Sequence, residues 1–183
     1  MKRLLLGAMA GLLTSVIASA CAATMTVSSH VDRSLNFAQY RTFDWGPADA
    51  LPTGDPRLDN DLFFKDHVQG AVERGLSTRG LELASSGTPD LLIHYHANIS
   101  ERIDVNRADR AYGYCGTADC PPDTVSYEAG TLVLDFIDSR TNKLVWRGWA
   151  QNSVEDVLRN RDRMAGTIDK AVDSMLRQLP PMR

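Results

Sequence analysis

The sequence has little of what would announce a chemistry. It holds three cysteines in 183 residues, and none form a Cys-x-x-Cys pair. The spacing therefore writes neither a zinc ribbon nor a thioredoxin-type redox centre. No serine or cysteine stands in a nucleophile elbow, and no glycine-rich phosphate loop follows a strand. Basic charge is not in excess: 20 Lys and Arg stand against 23 Asp and Glu, a net charge of -3. That balance excludes the electrostatic footprint of a nucleic-acid binder. The chain lacks internal repeats, low-complexity tracts and any apolar run long enough to cross a bilayer as a helix.

What is present describes an exported, folded domain. Hydrophobic residues at 43% and charged residues at 23% are ordinary for a globular protein. The length suits one domain with a real core, residues 21–183, after an amino-terminal signal peptide over residues 1–20. That segment has a basic head (Lys2, Arg3), an apolar stretch from Leu4 to Ile17 and a small-residue end, Ala18-Ser19-Ala20. Removing it leaves 18 basic against 23 acidic residues, a balance of -5. A mildly acidic surface argues against charge-driven binding to anionic lipid.

Cys21 follows the small-residue end directly, and two processing readings compete. Ala18-Ser19-Ala20 is an acceptable general cleavage site, which would release a soluble periplasmic protein. The same segment resembles a bacterial lipobox, in which the new terminal cysteine receives diacylglycerol and an amide-linked acyl chain such as palmitate; Ala18 stands where leucine is usual. The lipoprotein reading is preferred because a cysteine at this one position is otherwise a coincidence. Three acyl chains would hold the protein firmly on a membrane, at about 0.8 kcal/mol per buried methylene. By resemblance to lipoproteins of bacteria with two membranes, Ala22 implies the outer membrane, facing the periplasm. Lipidation of Cys21 leaves the even pair Cys115 and Cys120, expected as a disulfide in an oxidising compartment. Its short loop contributes about 2 kcal/mol on the loop-closure estimate.

The stretch Gly130–Ala150 organises the fold. Two apolar runs, Thr131–Ile137 and Leu144–Ala150, flank the polar Asp138–Lys143 segment and predict a β-hairpin. Both strands carry apolar residues on both faces, so the hairpin is expected at the centre of the sheet. Upstream, Met25, Val27 and Val31 suggest a first strand and Arg41–Trp45 a second. A 3.6-residue period over Leu58–Arg79, closed by Gly80, predicts a helix. Asp90–Ile99 alternates as a strand, and residues 100–123 read as a long insertion. A second amphipathic helix is expected over Val154–Leu179. The sum is an α+β, two-layer sandwich of order β-β-α-β-β-β-α, with a mostly antiparallel sheet and both helices on one face. The other face is apolar enough to predict cover by a loop, the insertion or a partner.

In order along the chain stand Tyr40-Arg-Thr-Phe-Asp-Trp45, Thr88-Pro-Asp-Leu-Leu-Ile-His-Tyr95, Glu128-Ala-Gly-Thr-Leu-Val-Leu-Asp135, Leu144-Val-Trp-Arg-Gly148 and Leu179-Pro-Pro181. Together they resemble the bacterial envelope lipoproteins grouped as domain-of-unknown-function family 4136. The resemblance covers nearly the whole mature chain. It implies envelope localisation and an α+β fold, and transfers no catalytic residue.

The residues able to do chemistry are few. His94 and His96 stand two apart on a strand, so their imidazoles point the same way and are weak candidates for sharing a metal, with Asp135 or Asp90 as a third ligand. The plainer expectation is a pair of half-exposed strand histidines and no metal. Asp135 and Arg147, on opposite arms of the hairpin, are expected to pair with each other or with helix ends. A four-residue loop would put them on opposite faces and an odd-length loop on the same one. Trp146 and Trp149 read as packing, and Arg159, Arg161 and Arg163 as a solvated mixed-charge stretch. Two functional classes follow. The first is a non-enzymatic lipoprotein without cofactor, binding or scaffolding an envelope protein or peptidoglycan. The alternative is a metal-dependent or hydrolytic periplasmic enzyme using the His94/His96 face.

Overall fold

The computed structural model describes residues 25–46, 55–58, 61–103 and 126–182. The signal segment 1–20, Cys21, the Cys115/Cys120 pair and most of the 100–123 insertion lie outside the described residues. The strands are β1 (Thr26–Val31), β2 (Thr42–Trp45), β3 (Glu82–Leu83), β4 (Leu91–Ile103), β5 (Ser126–Asp138) and β6 (Lys143–Ser153). The helices are α1 (Leu62–Ser77) and α2 (Arg161–Leu176). The strand order β1-β6-β5-β4-β2-β3 places the β5–β6 hairpin inside the sheet, as its two apolar faces require. Pairings β1–β6, β6–β5 and β5–β4 are antiparallel, whereas β2 runs parallel to both β4 and β3. This is the expected α+β architecture with a mixed sheet.

Helix boundaries are set by capping side chains. Asp61 accepts from the backbone N–H groups of Phe63 and Phe64, so α1 begins at Leu62. Leu58, where the helix was expected to begin, is instead buried in a preceding turn. Asn160 accepts from Arg163 N–H and starts α2 afresh, after Val154–Leu158 has closed its own turn. Past α1, Leu81 N–H returns to the Leu76 carbonyl, a path that Gly80 takes at φ 82°. Strand β4 continues through Ser100–Ile103, which the sequence assigned to the insertion, by pairing with Ser126–Ala129. The two-residue β3 was not anticipated, since Glu82 and Leu83 are both exposed and carry no period.

The core lies between one sheet face and the two helices. Ile93, Phe136 and Trp146 stand in one transverse row, and Ala97, Leu132 and Ala150 in another, facing Phe64, Val68, Val72, Ile168 and Met175. Trp146 is fully buried and lies 4.8 Å from Phe136, centroid to centroid. Its ring crosses Gly148, where a Cβ would meet Trp146 Cη2 at 2.3 Å. Glycine at this strand position therefore supplies room for the indole.

The hairpin loop is pinned from outside. Asp138 Oδ1 accepts from the N–H groups of Arg140 and Thr141, while Oδ2 accepts from Tyr40 Oη at 3.0 Å. Asn142 closes the loop at φ 54°. Burial opposes the charge on Asp138, yet the Thr141 N–H, Tyr40 hydroxyl and Arg140 N–H outweigh it and lower its pKa. Asp90 does similar work at β2: its Oδ2 accepts from Arg41 and Thr42 N–H at 2.8 and 3.1 Å.

Candidate functional site

The residues singled out for chemistry gather on the sheet face opposite the helices. Successive β residues point to opposite faces, so His94, His96, Val133, Asp135, Arg147 and Trp149 project away from the core. Residues Leu92, His94, His96, Val133, Ile137 and Trp149 are all half-buried there, as the sequence expected of the histidines. His30, Arg147, Asp135 and His94 form one transverse row across β1, β6, β5 and β4.

Asp135 and Arg147 are direct cross-strand partners. Arg147 Nε and Nη2 donate to Asp135 Oδ1 and Oδ2, both at 2.6 Å, in a bidentate pair. The connecting loop, Ser139–Asn142, has four residues, a length that by itself puts the two on opposite faces. A bulge restores them to one face: Ile137 pairs with Leu144 but Phe136 with Trp146, leaving Val145 extra. Val145 is buried. The pair raises the Arg147 pKa through the bonds to Asp135.

His96 Nε2 lies 3.7 Å from Asp135 Oδ2, outside hydrogen-bond range. Its Nδ1 is sealed from solvent and has no hydrogen-bond partner. Burial pushes the imidazole pKa down, Asp135 pulls it up, and the neighbouring His94 and Arg147 push it down further. The result favours a neutral ring. His94 lies against Gly46, where a Cβ would come within 2.2 Å of His94 Nε2. Asp90, the other carboxylate considered as a ligand, faces Arg41 and Thr42 instead. Among the described residues, no three His, Cys, Asp or Glu side chains are grouped to hold a metal.

The remaining candidates divide as packing dictates. Trp146 is core, and Trp149 lies on the outer face. Arg159, Arg161 and Arg163 are exposed; Arg163 pairs with Asp156 at 3.4 Å and Arg161 stacks over the Phe63 ring at 5.0 Å. Tyr40 was missed as an organising residue, because nothing local marks a tyrosine as the partner of an aspartate 98 positions away.

The fold and outer face define a two-layer α+β domain with a single mixed sheet. The chain belongs to the family described as domain of unknown function DUF4136, whose model matches residues 27–181. It is similar in structure to a DUF4136 family protein of Bacteroides thetaiotaomicron, at 16% identity and TM-score 0.56, over 86% of this chain and 97% of that one. A PDZ domain protein of Parabacteroides distasonis also matches, at 16% identity and TM-score 0.56, over 87% of this chain. This chain spans 37% of that protein's length. These likenesses concern the fold. No curated protein matches the chain.

Proposed function

We propose that the protein is a non-enzymatic lipoprotein of the cell envelope, anchored through Cys21 and acting by binding an envelope component. The observation that carries the non-enzymatic part is the state of His96. Its Nδ1 is closed to solvent, and the carboxylate nearest its Nε2 is committed at both oxygens to Arg147. A general base must reach the proton it takes, directly or through one water. The His96 Nδ1 offers no such route, and its Nε2 faces a carboxylate already held by Arg147. A metal held by His94 and His96 would have to draw Asp135 out of its bidentate pair. The export and lipid anchor are supported by Lys2-Arg3, the Leu4–Ile17 run and Ala18-Ser19-Ala20-Cys21.

Two measurements test the reading. Intact mass of the mature protein from membrane and periplasmic fractions is expected to show an acylated terminus at Cys21. A soluble, unmodified terminus overturns the anchor. Metal analysis of the purified protein is expected to find no stoichiometric zinc. Zinc lost on His94→Ala/His96→Ala favours the enzyme reading instead.

A further inference from the structure

At the pole where both helices begin, the two layers leave a space unfilled. Met25, Phe64, Ala97, Leu132, Ala150 and Ile168 border an apolar cavity of about 70 Å³. Its origin is compositional. The transverse row Ala97–Leu132–Ala150 carries two alanines, whereas Ile93–Phe136–Trp146 fills the same layer with large side chains. A dry apolar void forfeits packing, so a hydrocarbon group entering it is favoured. An apolar cavity of about 150 Å³ admits benzene, so one of this size accepts the end of an aliphatic chain.

None of the described residues lining the cavity is charged. Asn98, Thr131, Asn152 and Thr167 border it, but a free fatty acid or phospholipid would find no cation there for its anionic headgroup. A tethered chain needs none, because its local concentration replaces headgroup recognition. The tether is at hand. Met25 lines the cavity and begins the described chain, with Cys21 four residues before it. Four residues reach at most about 14 Å.

We propose that the end of an acyl chain carried by Cys21 lodges in this cavity when the protein is away from a bilayer, and leaves it when the chain enters a membrane. This rests on the lipid-anchor reading given above. In water the chain end gains an apolar surround in the cavity; at a bilayer it gains one along its whole length.

Xenon, a probe of apolar cavities, tests the assignment on the whole mature protein. In Cys21→Ser protein, xenon is expected to shift the methyl resonances of Met25, Leu132 and Ile168. In acylated protein without vesicles, its apparent affinity is expected to fall on the order of tenfold. Adding phosphatidylcholine vesicles restores it. An identical xenon response in acylated and Cys21→Ser proteins overturns the proposal, as does no response in either. Intact mass separates the two readings: acyl chains present with an unaltered xenon response sinks only the cavity proposal. No acyl chain on the native protein sinks the lipid anchor and the proposal with it.

Discussion

Asp135 and Arg147 meet across the hairpin because Val145 is one residue too many for its strand. Asp138 opposite Lys143 and Ile137 opposite Leu144 follow the four-residue loop; beyond Val145 the register has moved by one. Without that step, Arg147 would face the helices and Trp146 the opposite side. The bulge thus does two things at once. It sends Trp146 into the core and forms the charged pair of the outer face.

The two members of that pair differ in exposure, which makes their replacement unequal. The Asp135 side chain is 7% exposed and that of Arg147 46%. Arg147→Ala leaves a buried carboxylate without its partner and is expected to cost about 2–3 kcal/mol. Asp135→Ala frees an arginine that can return to water, at about 1 kcal/mol or less. Urea unfolding midpoints of the two variants measure the difference; equal losses would refute the asymmetry. In Arg147→Ala the His96 imidazole also loses a neighbouring positive charge, so the His96 pKa is expected to rise.

Tyr40 and Asp138 tie a turn near the amino terminus to the hairpin loop. Tyr40→Phe is expected to cost about 1–2 kcal/mol at neutral pH, as a buried bond to a charged acceptor is lost. Burial, reinforced by Asp138, pushes the Tyr40 phenol from 10.0 up to about 12. A raised folded-state pKa gives stability that is complete below pH 10.0 and is lost as pH rises through about 12. The alkaline limb of a stability-against-pH curve should therefore be shallower in Tyr40→Phe. An unchanged slope would remove Tyr40 from the account.

Much of this arrangement was legible in the chain, and the illegible parts share a cause. Alternation along β4 and the apolar runs of β5 and β6 are local signals, as are the helical stripes of α1 and α2, the second of which was expected to run on to Leu179 but stops at Leu176. The register of Asp135 against Arg147 was not legible. It depends on a bulge that changes no residue type and no loop length. The parallel edge formed by β2 and β3 depends on which strand each meets after α1, a choice made by packing. The site was legible in its members, His94, His96, Asp135 and Arg147, and the pairing of Asp135 with Arg147 was one of two expectations; the bulge that decides for it was not legible. Sealing of His96 Nδ1 is a property of the folded face alone.

His96 supplies a test on the acid side. Its folded-state pKa lies below 6.5, chiefly through burial, so the unfolded chain takes up the proton first as pH falls. Stability from the neutral imidazole is complete above about pH 6.5 and declines as pH drops toward the folded-state value. His96→Gln, which cannot titrate, is expected to lose less stability between pH 7.5 and 5.5 than the parent does. Chemical unfolding at the two pH values gives the comparison. A decline of the same size in both proteins would mean that other groups carry it.

Gly148 and Gly46 make a matched pair for the last prediction, since an added Cβ meets a ring at either position. At Gly148 the obstacle is Trp146, fully buried between Phe136 and the core. The indole has no free direction in which to move, so Gly148→Ala is expected to cost about 2–3 kcal/mol, as overpacking does in a filled interior. At Gly46 the obstacle is His94, half-buried on the outer face. That imidazole can swing toward solvent, and Gly46→Ala is expected to cost about 1 kcal/mol or less. The Trp146 indole N–H resonance, a local reporter, should shift in Gly148→Ala and stay unchanged in Gly46→Ala. Equal stability losses with unaltered tryptophan signals would show that the indole does not depend on the missing side chain.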